Sequence, residues 1–271
     1  MKQIILCLVA LLTMGGVASA QQQSKSDEKV EFRPHWGLKL QGGAAYTMGE
    51  ASFADLISPA AQISATYNFH HAMGVRFGVS GWQGKGNLVV VDDTYKFRFA
   101  QIHADFVLDL ANLIGGFKHD RIWTPYVFAG LAGAYGFDNY EMGPYLPEYK
   151  AVFGKYWNLR PFFVVRAGAG MDFWVAKNFA LGLEVNANAY GEAFNSKLSS
   201  PKANPDFQFN ALLGAKIRFG GNTAPSKAYA AKVEAEEAAR LAAEAAAKEK
   251  AKKDQEAKAK AKAAKKAEKD L

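Results

Sequence analysis

The sequence has almost no cysteine and no long apolar run. Its single cysteine, Cys7, excludes a disulfide scaffold and a cysteine-based metal site, since both need several cysteines. A stretch of about 20 consecutive apolar residues is lacking, which excludes a membrane protein built from helices. The 19 Phe, 11 Tyr and 5 Trp residues are too many for a wholly disordered chain. The length of 271 residues predicts one or two folded domains.

The first 20 residues have the features of a secretory signal peptide. A short basic start, Met1-Lys2-Gln3, precedes a mostly apolar run over 4–18, and Ala18-Ser19-Ala20 provides the small residues that a signal peptidase reads. The run is too short to cross a bilayer. We therefore expect residues 1–20 to be removed on export, and residues 21–35 to form a periplasmic lead into the folded region.

The net charge of +7 is spread unevenly along the chain. Residues 222–271 contain 12 lysines and Arg240 against 9 acidic residues, which gives +4. The signal peptide adds one positive charge, so residues 21–221 have a net charge of only +2. The pI near 9.2 thus reflects a lysine-rich tail, and we expect no nucleic-acid partner.

Apolar and polar residues alternate in eight segments between residues 36 and 219. In one of them, Val165, Ala167 and Ala169 alternate with Arg166 and Gly168, the pattern of a β-strand with two unlike faces. One segment, 125–137, is too apolar and too rich in glycine for its faces to be assigned. Such strands build either a soluble sandwich or barrel, with the apolar face in the core, or a transmembrane barrel, with the apolar face in lipid.

Three features favour the transmembrane barrel. Aromatic residues gather at the strand ends, as in the girdles at membrane interfaces. The connections alternate in length, with long ones predicted at 47–60, 83–94, 138–160 and 191–206. The polar face combines glycine with single charges of both signs, which we predict to form an ion-pair network in a narrow lumen. Its members are Lys39, Arg76, His103, Asp105, Arg166, Asp172, Glu184, Lys216 and Arg218.

Residues 36–219 resemble the eight-stranded outer-membrane β-barrel superfamily that includes the transmembrane domain of outer membrane protein A, in its Bacteroidetes-type branch. The resemblance is carried by 166–173 (RAGAGMDF), the tight turn 176–178, 181–186 (LGLEVN) and 213–219 (LGAKIRF). It implies an all-β, eight-stranded antiparallel transmembrane barrel in the cell outer membrane, in contact with lipid and lipopolysaccharide. The final aromatic, Phe219, resembles the signal read by the barrel-assembly machinery. In place of the peptidoglycan-binding domain that outer membrane protein A carries, we expect only the tail over 220–271.

Residues 220–271 form a tail of Ala, Lys and Glu, which are strong helix formers. The pairs Glu244–Lys248, Glu249–Lys253 and Glu256–Lys260 have the stabilising i,i+4 order. Eight strands that start in the periplasm return the chain there, so we expect the tail in the periplasm. Two interpretations stay open: a solvated helix or disordered spacer, or a basic arm that contacts peptidoglycan or a periplasmic protein.

The sequence favours neither catalysis nor free diffusion. Some eight-stranded outer-membrane barrels modify lipid A, and His103 and Asp105 share one strand face, yet ion pairing in the lumen explains both residues. The adjacent His70 and His71 have no carboxylate or cysteine nearby, so no metal site or cofactor is predicted. Eight strands leave an interior just wide enough for side chains, which disfavours a channel. A small-solute porin and a lipid A-modifying enzyme remain the alternatives.

The longest predicted outer loop, 138–160, is rich in aromatic residues. Rigid aromatics on exposed loops are common in binding surfaces, although the same residues also suit an interfacial girdle or packing between loops. The candidate binding residues are Tyr140, Tyr145, Tyr149, Tyr156 and Trp157. The sequence thus predicts a non-enzymatic barrel with an envelope-anchoring or surface-interaction role.

Overall fold

The computed structural model describes residues 30–49, 51–88, 93–145, 147, 156–191, 193–196 and 205–267, with all side chains except those of Leu88 and 254–267. The predicted signal peptide, 1–20, lies outside the described residues. The chain divides into two compact units, of which one contains the barrel and the other contains Pro225–Leu271.

Eight strands, β2 to β9, form a closed antiparallel barrel. Each pairs with the next along the chain, and β9 closes the cylinder by pairing with β2, where Trp36 lies opposite Phe219 and Lys39 opposite Lys216. Two short strands, β1 and β10, form a separate two-stranded sheet. The strands are β1 (Val30–Phe32), β2 (His35–Thr47), β3 (Ile57–His70), β4 (Met73–Leu88), β5 (Asp93–Asp109), β6 (Trp123–Phe137), β7 (Arg160–Ala176), β8 (Phe179–Tyr190), β9 (Asp206–Phe219) and β10 (Thr223–Pro225).

The barrel is apolar outside and polar inside. Val165, Leu183 and Leu213 point outward and are 50%, 49% and 66% exposed, whereas Arg166 and Glu184 are buried in the interior. A soluble barrel has the opposite arrangement, and this one is typical of a barrel whose outer surface meets lipid. The predicted fold class, an eight-stranded antiparallel barrel, is confirmed. Segment 125–137, whose faces the sequence left unassigned, forms β6.

The two ends of the barrel differ. The turn end has the two-residue turns 71–72 and 177–178 together with the segment 110–122, which holds the short helix α1 (Leu110–Gly115). Asp109 caps α1 by accepting a hydrogen bond from the Asn112 backbone N–H. The loop end has the connections 48–56, 89–92, 138–159 and 191–205.

The prediction of a long connection at 83–94 is wrong. Strand β4 runs to Leu88 and β5 begins at Asp93, and the two strands stay in register over their whole length. Inside this hairpin, the rings of Phe97 and Tyr95 lie over Gly84 and Gly86, at places where a β-carbon on either glycine would collide with the ring. Aromatic rings that cover glycines in this way extend the pairing beyond the point where the apolar alternation ends.

The tail unit contains the helix α2 (Lys227–Ala267). The Ser226 hydroxyl accepts a hydrogen bond from the Tyr229 backbone N–H at 3.2 Å, as expected for a helix cap. Every side chain described between Lys227 and Lys253 is exposed. None of the helices among the described residues is long and apolar enough to cross a bilayer.

Candidate functional site: the barrel interior

The centre of the barrel holds a compact cluster of two arginines and two carboxylates. Arg76 lies 2.7 Å from a carboxylate oxygen of both Asp105 and Glu184. Arg166 approaches the same two carboxylates at 3.3 Å and 3.9 Å, and its guanidinium also donates a hydrogen bond to Gln62 Oε1 at 2.9 Å. All four charged side chains are at most 2% exposed. Buried charges persist only when they are paired and hydrogen-bonded. Each side chain of this central cluster is paired and makes at least one hydrogen bond, although Arg76 Nη2, Asp105 Oδ1, Arg166 Nε and Arg166 Nη1 have no hydrogen-bond partner among the described residues.

A second group of charges lies nearer the turn end. The ammonium groups of Lys39 and Lys216 share the carboxylate of Asp172, at 2.7 Å and 2.8 Å. Lys39 also donates a hydrogen bond to the Tyr126 hydroxyl at 2.7 Å, and that hydroxyl donates to Glu184 at 2.7 Å. Tyr126 therefore joins the two groups of charges into one chain of hydrogen bonds.

The sequence interpretation missed two aromatic residues of this interior. Tyr126 and Phe128 lie on the inward face of β6 and are about as buried as the ions around them. The Arg76 guanidinium carbon lies 4.0 Å from the centre of the Phe128 ring, and that of Arg166 lies 5.4 Å from it, both within cation–π range. The signal that could have found them is the period of two through 126, 128 and 130, which the many apolar residues of this segment obscured.

Inward-facing glycines make room for these large side chains. A β-carbon on Gly182 would lie 2.6 Å from Lys39 Cε, and one on Gly168 would lie 2.7 Å from Phe128 Cζ. Real β-carbons essentially never come so close to another heavy atom. Glycine on the polar face therefore provides volume for the ions and rings of neighbouring strands.

Arg218 lies apart from the ion pairs and corrects the predicted network. Its guanidinium stacks on Trp174, with 3.6 Å between the guanidinium carbon and the ring centre. One of its terminal nitrogens donates to the Lys177 carbonyl at 3.4 Å. Among the described residues no carboxylate comes within ion-pair distance of Arg218, since the nearby Asp172 is engaged by two lysines.

His103 and Asp105 meet inside the lumen rather than at a surface. His103 Nε2 lies 3.9 Å from Asp105 Oδ2, and His103 Nδ1 lies 3.4 Å from the Ser80 hydroxyl. The Ser80 oxygen also accepts a hydrogen bond from Gln101 at 2.9 Å. Both distances to His103 exceed the usual reach of a catalytic hydrogen bond, and the His103 and Asp105 side chains are fully buried.

The adjacent histidines His70 and His71 lie at the turn end, with their ring centres 3.9 Å apart. Loss of hydration and the neighbouring His70 both lower the pKa of His71. In the described part of the chain, no three His, Cys, Asp or Glu side chains are grouped so that they could hold a metal ion.

An aromatic cap fills the loop end of the barrel. Its centre is Phe194, a fully buried residue of the last loop, whose ring stacks on Tyr190 with 3.7 Å between ring centres. The rings of Phe97, Phe99 and Phe162 surround it at 4.9–5.5 Å with edge-to-face geometry. The buried residues of the aromatic cap are Tyr95, Phe97, Phe99, Ala132, Ala134, Met142, Trp157, Phe162, Val164, Tyr190, Ala193 and Phe194.

The aromatic cap changes the interpretation of the predicted loop-binding residues. Trp157 is only 5% exposed, and its indole N–H donates to the Ala193 carbonyl at 2.5 Å, so it belongs to the cap and not to an exposed surface. Tyr145 and Tyr156 are partly buried against the same cluster. The Tyr145 hydroxyl donates to Asp93 at 2.5 Å, which raises the pKa of Tyr145. Tyr140 is 65% exposed.

The remaining predicted residues belong to the loops, the last barrel strand and the tail helix. Tyr149 lies outside the described residues. Phe219 ends β9 and is 52% exposed on the outer surface. In α2, the predicted pairs Glu244–Lys248 and Glu249–Lys253 form at 2.8 Å and 2.7 Å. The side chains of the third pair, Glu256–Lys260, lie outside the described residues.

Comparisons with known proteins identify no family. No family model and no curated protein matches the chain. Among solved structures, Neisserial surface protein A is 15% identical with a TM-score of 0.43, over 68% of this chain and 97% of that one. The outer membrane protein OprG of Pseudomonas aeruginosa is 11% identical with a TM-score of 0.45, over 69% and 98%. Ail of Yersinia pestis is 13% identical with a TM-score of 0.41, over 69% and 99%. At these TM-scores the fold assignment rests on the strand register alone.

Proposed function

We propose that this protein is a non-enzymatic outer-membrane barrel that anchors or stabilises the cell envelope and presents its loop end to the outside. The observation that carries the proposal is the inverted barrel, with an apolar exterior around an interior of buried, mutually paired charges. An apolar exterior is stable in hydrocarbon, and a closed barrel leaves no backbone hydrogen-bonding groups unpaired there.

The filled interior supports an anchoring role over transport. The central cluster lies across the lumen, and the aromatic cap occupies the loop end, so two different layers of side chains oppose the passage of solutes. Eight strands enclose little more than the volume of their own inward side chains. We therefore expect the protein to be silent in planar bilayers, and stepwise conductance would support the porin alternative.

The proposed orientation puts the turn end and both chain ends in the periplasm. Short periplasmic turns and longer outer loops are the rule for outer-membrane barrels. Helix α2 would then act as a periplasmic arm, about 62 Å long at about 1.5 Å per residue. Its lysine-rich half suits an anionic partner such as peptidoglycan or an acidic periplasmic protein.

Cell fractionation tests the location and the orientation together. We expect the protein in the outer-membrane fraction, running faster on a gel when unheated than when boiled, because a closed barrel resists unfolding by detergent. Trypsin should remove the lysine-rich helix only after the outer membrane has been permeabilised. Cleavage of that helix in intact cells would contradict the orientation, and absence of a heat-dependent shift would contradict the barrel.

The enzyme alternative predicts a chemical change in lipid A. The pair most suited to catalysis is His103 with Asp105, and both are shut inside the lumen. We expect mass spectra of lipid A to be identical in cells that express the wild type, His103→Ala or no barrel at all. A modification that depends on the wild type and disappears with His103→Ala would establish the enzyme instead.

A further inference from the structure

The charges near the turn end do not balance. In the central cluster, two arginines meet two carboxylates. Near the turn end there are three cations: Lys39 and Lys216 share the carboxylate of Asp172, and Arg218 stacks on Trp174 with no carboxylate in ion-pair distance among the described residues. Lys39 and Lys216 are directly opposite each other on paired strands, a placement that is unfavourable for like charges. This cationic group therefore holds more positive charge than its own carboxylate neutralises.

The other carboxylate at this end, Asp109, offsets only part of the excess. Its charge acts on both Lys216 and Arg218, while its oxygens accept hydrogen bonds from the backbone and side-chain nitrogens of Asn112 at 2.9 Å and 2.6 Å. Three cations therefore face two carboxylates. Arg218 Nε is buried and has no hydrogen-bond partner among the described residues. It is one of 13 such buried side-chain atoms in the described part of the chain, and it adds an unused donor to the excess positive charge around it.

The position of the group also suits a ligand. The Lys216 side chain is 16% exposed, compared with 4% for Lys39, so the cationic group lies where the lumen begins to open. Trp174 forms one wall, and the Lys216 nitrogen and the Arg218 guanidinium carbon lie 5.7 Å and 3.6 Å from its ring centre. A guanidinium and an ammonium that approach the same ring from one strand form a favourable donor set for an oxyanion.

We propose that the turn end of the lumen is a binding site for a small oxyanion that bears a phosphate or carboxylate group, held by Arg218 and Lys216 beside Trp174. The anion neutralises the excess charge and provides an acceptor for Arg218 Nε. Lys39 and Asp172 form the inner wall of the site. The inference goes beyond an anchoring role, and it holds whichever way the barrel is oriented.

Thermal unfolding of the full chain in a neutral detergent tests the site, with inorganic phosphate as the probe and sodium chloride at equal ionic strength as the reference. A ligand that binds only the folded state raises the unfolding midpoint, and we expect a rise of about 3–8 °C at saturating phosphate. Arg218→Gln should abolish the rise, and Lys216→Met should reduce it. Arg98→Gln is the matched control, because Arg98 is exposed at the loop end and paired with Asp138.

The variants separate an anion site from a structural role. If Arg218 only packs on Trp174, Arg218→Gln lowers the midpoint equally with and without phosphate, and the proposal fails. It also fails if phosphate and chloride act alike on the wild type. Should Arg218→Gln not fold, Arg218→Lys keeps the charge but loses the guanidinium, and we expect it to retain less than half of the rise. Micelles doped with anionic phospholipid, without phosphate, show whether a lipid headgroup can supply the same oxyanion.

Discussion

Replacing Arg76 by alanine is expected to destabilise the barrel by about 3–5 kcal/mol, the range for breaking a buried ion pair on one side. Arg76 is the residue that contacts both carboxylates of the central cluster at 2.7 Å. Its loss leaves Glu184 with Arg166 as its nearest guanidinium, at 3.9 Å. Urea unfolding of the refolded protein in lipid vesicles, followed by tryptophan fluorescence, measures the change in the free energy of unfolding.

Two further variants define the cause of that loss. Arg98→Ala removes an arginine from an exposed ion pair at 3.2 Å. We expect it to lower the free energy of unfolding by less than about 1 kcal/mol, as for other surface ion pairs. The double variant Arg76→Met with Glu184→Gln removes one charge of each sign and should recover at least half of the lost stability. Equal losses for Arg76→Ala and Arg98→Ala would show that the central cluster contributes no more than a surface pair.

Phe194→Ala is expected to have a comparable effect through a different mechanism. Phe194 is fully buried and in contact with four aromatic rings, and removal of a buried Phe typically lowers stability by about 3–5 kcal/mol. We also expect faster proteolysis of the segment 138–159, because Phe97 and Phe162, the rings on which Trp157 packs, both lose their contact with Phe194. The measurements are urea unfolding and the rate of limited proteolysis.

Conductance in planar bilayers shows whether the aromatic cap or the central cluster closes the lumen. Phe194→Ala should remain silent in planar bilayers, like the wild type, because the central cluster still fills the lumen. Tyr140→Ala is the control for the stability measurement, since Tyr140 lies in a loop and is 65% exposed. We expect it to change the free energy of unfolding by no more than about 0.5 kcal/mol. Conductance that appears with Phe194→Ala would mean that the cap alone closes the barrel.

Most of the barrel could be predicted because alternation is a local signal. The inward charges Arg166, Asp172 and Glu184 alternate with apolar neighbours within their own strands, and the structure places all three in the interior. Which charges pair with one another could not be predicted, because the partners lie far apart in sequence. Lys39 and Asp172, for example, are 133 positions apart, and their contact depends on the register of every strand between them.

The loop end was predicted less well for a physical reason. From the sequence alone, an aromatic residue in a loop is as compatible with an exposed surface as with a buried cap. Which of the two it forms depends on the residues of other strands and loops that contact it in the folded barrel. Trp157 is buried because Phe97, from another strand, and Ala193, from another loop, approach it. The predicted strands β4 and β5 are too short because glycines interrupt the apolar alternation at their loop ends. In the structure, aromatic rings of the paired strand cover these glycines and the pairing continues.

The long sequence separation of the interior ion pairs bears on how the chain reaches its final state. The Arg76–Glu184 ion pair and the Gln62–Arg166 hydrogen bond each join strands that are four positions apart in the eight-stranded order, β4 with β8 and β3 with β7. The partners therefore come from opposite sides of the cylinder. A sheet inserted one strand at a time would bring unpaired charges into hydrocarbon, where an isolated ion is strongly unfavourable. Entry into the bilayer and neutralisation of the lumen are therefore coupled, and the polar interior favours a concerted assembly of nearly complete cylinders.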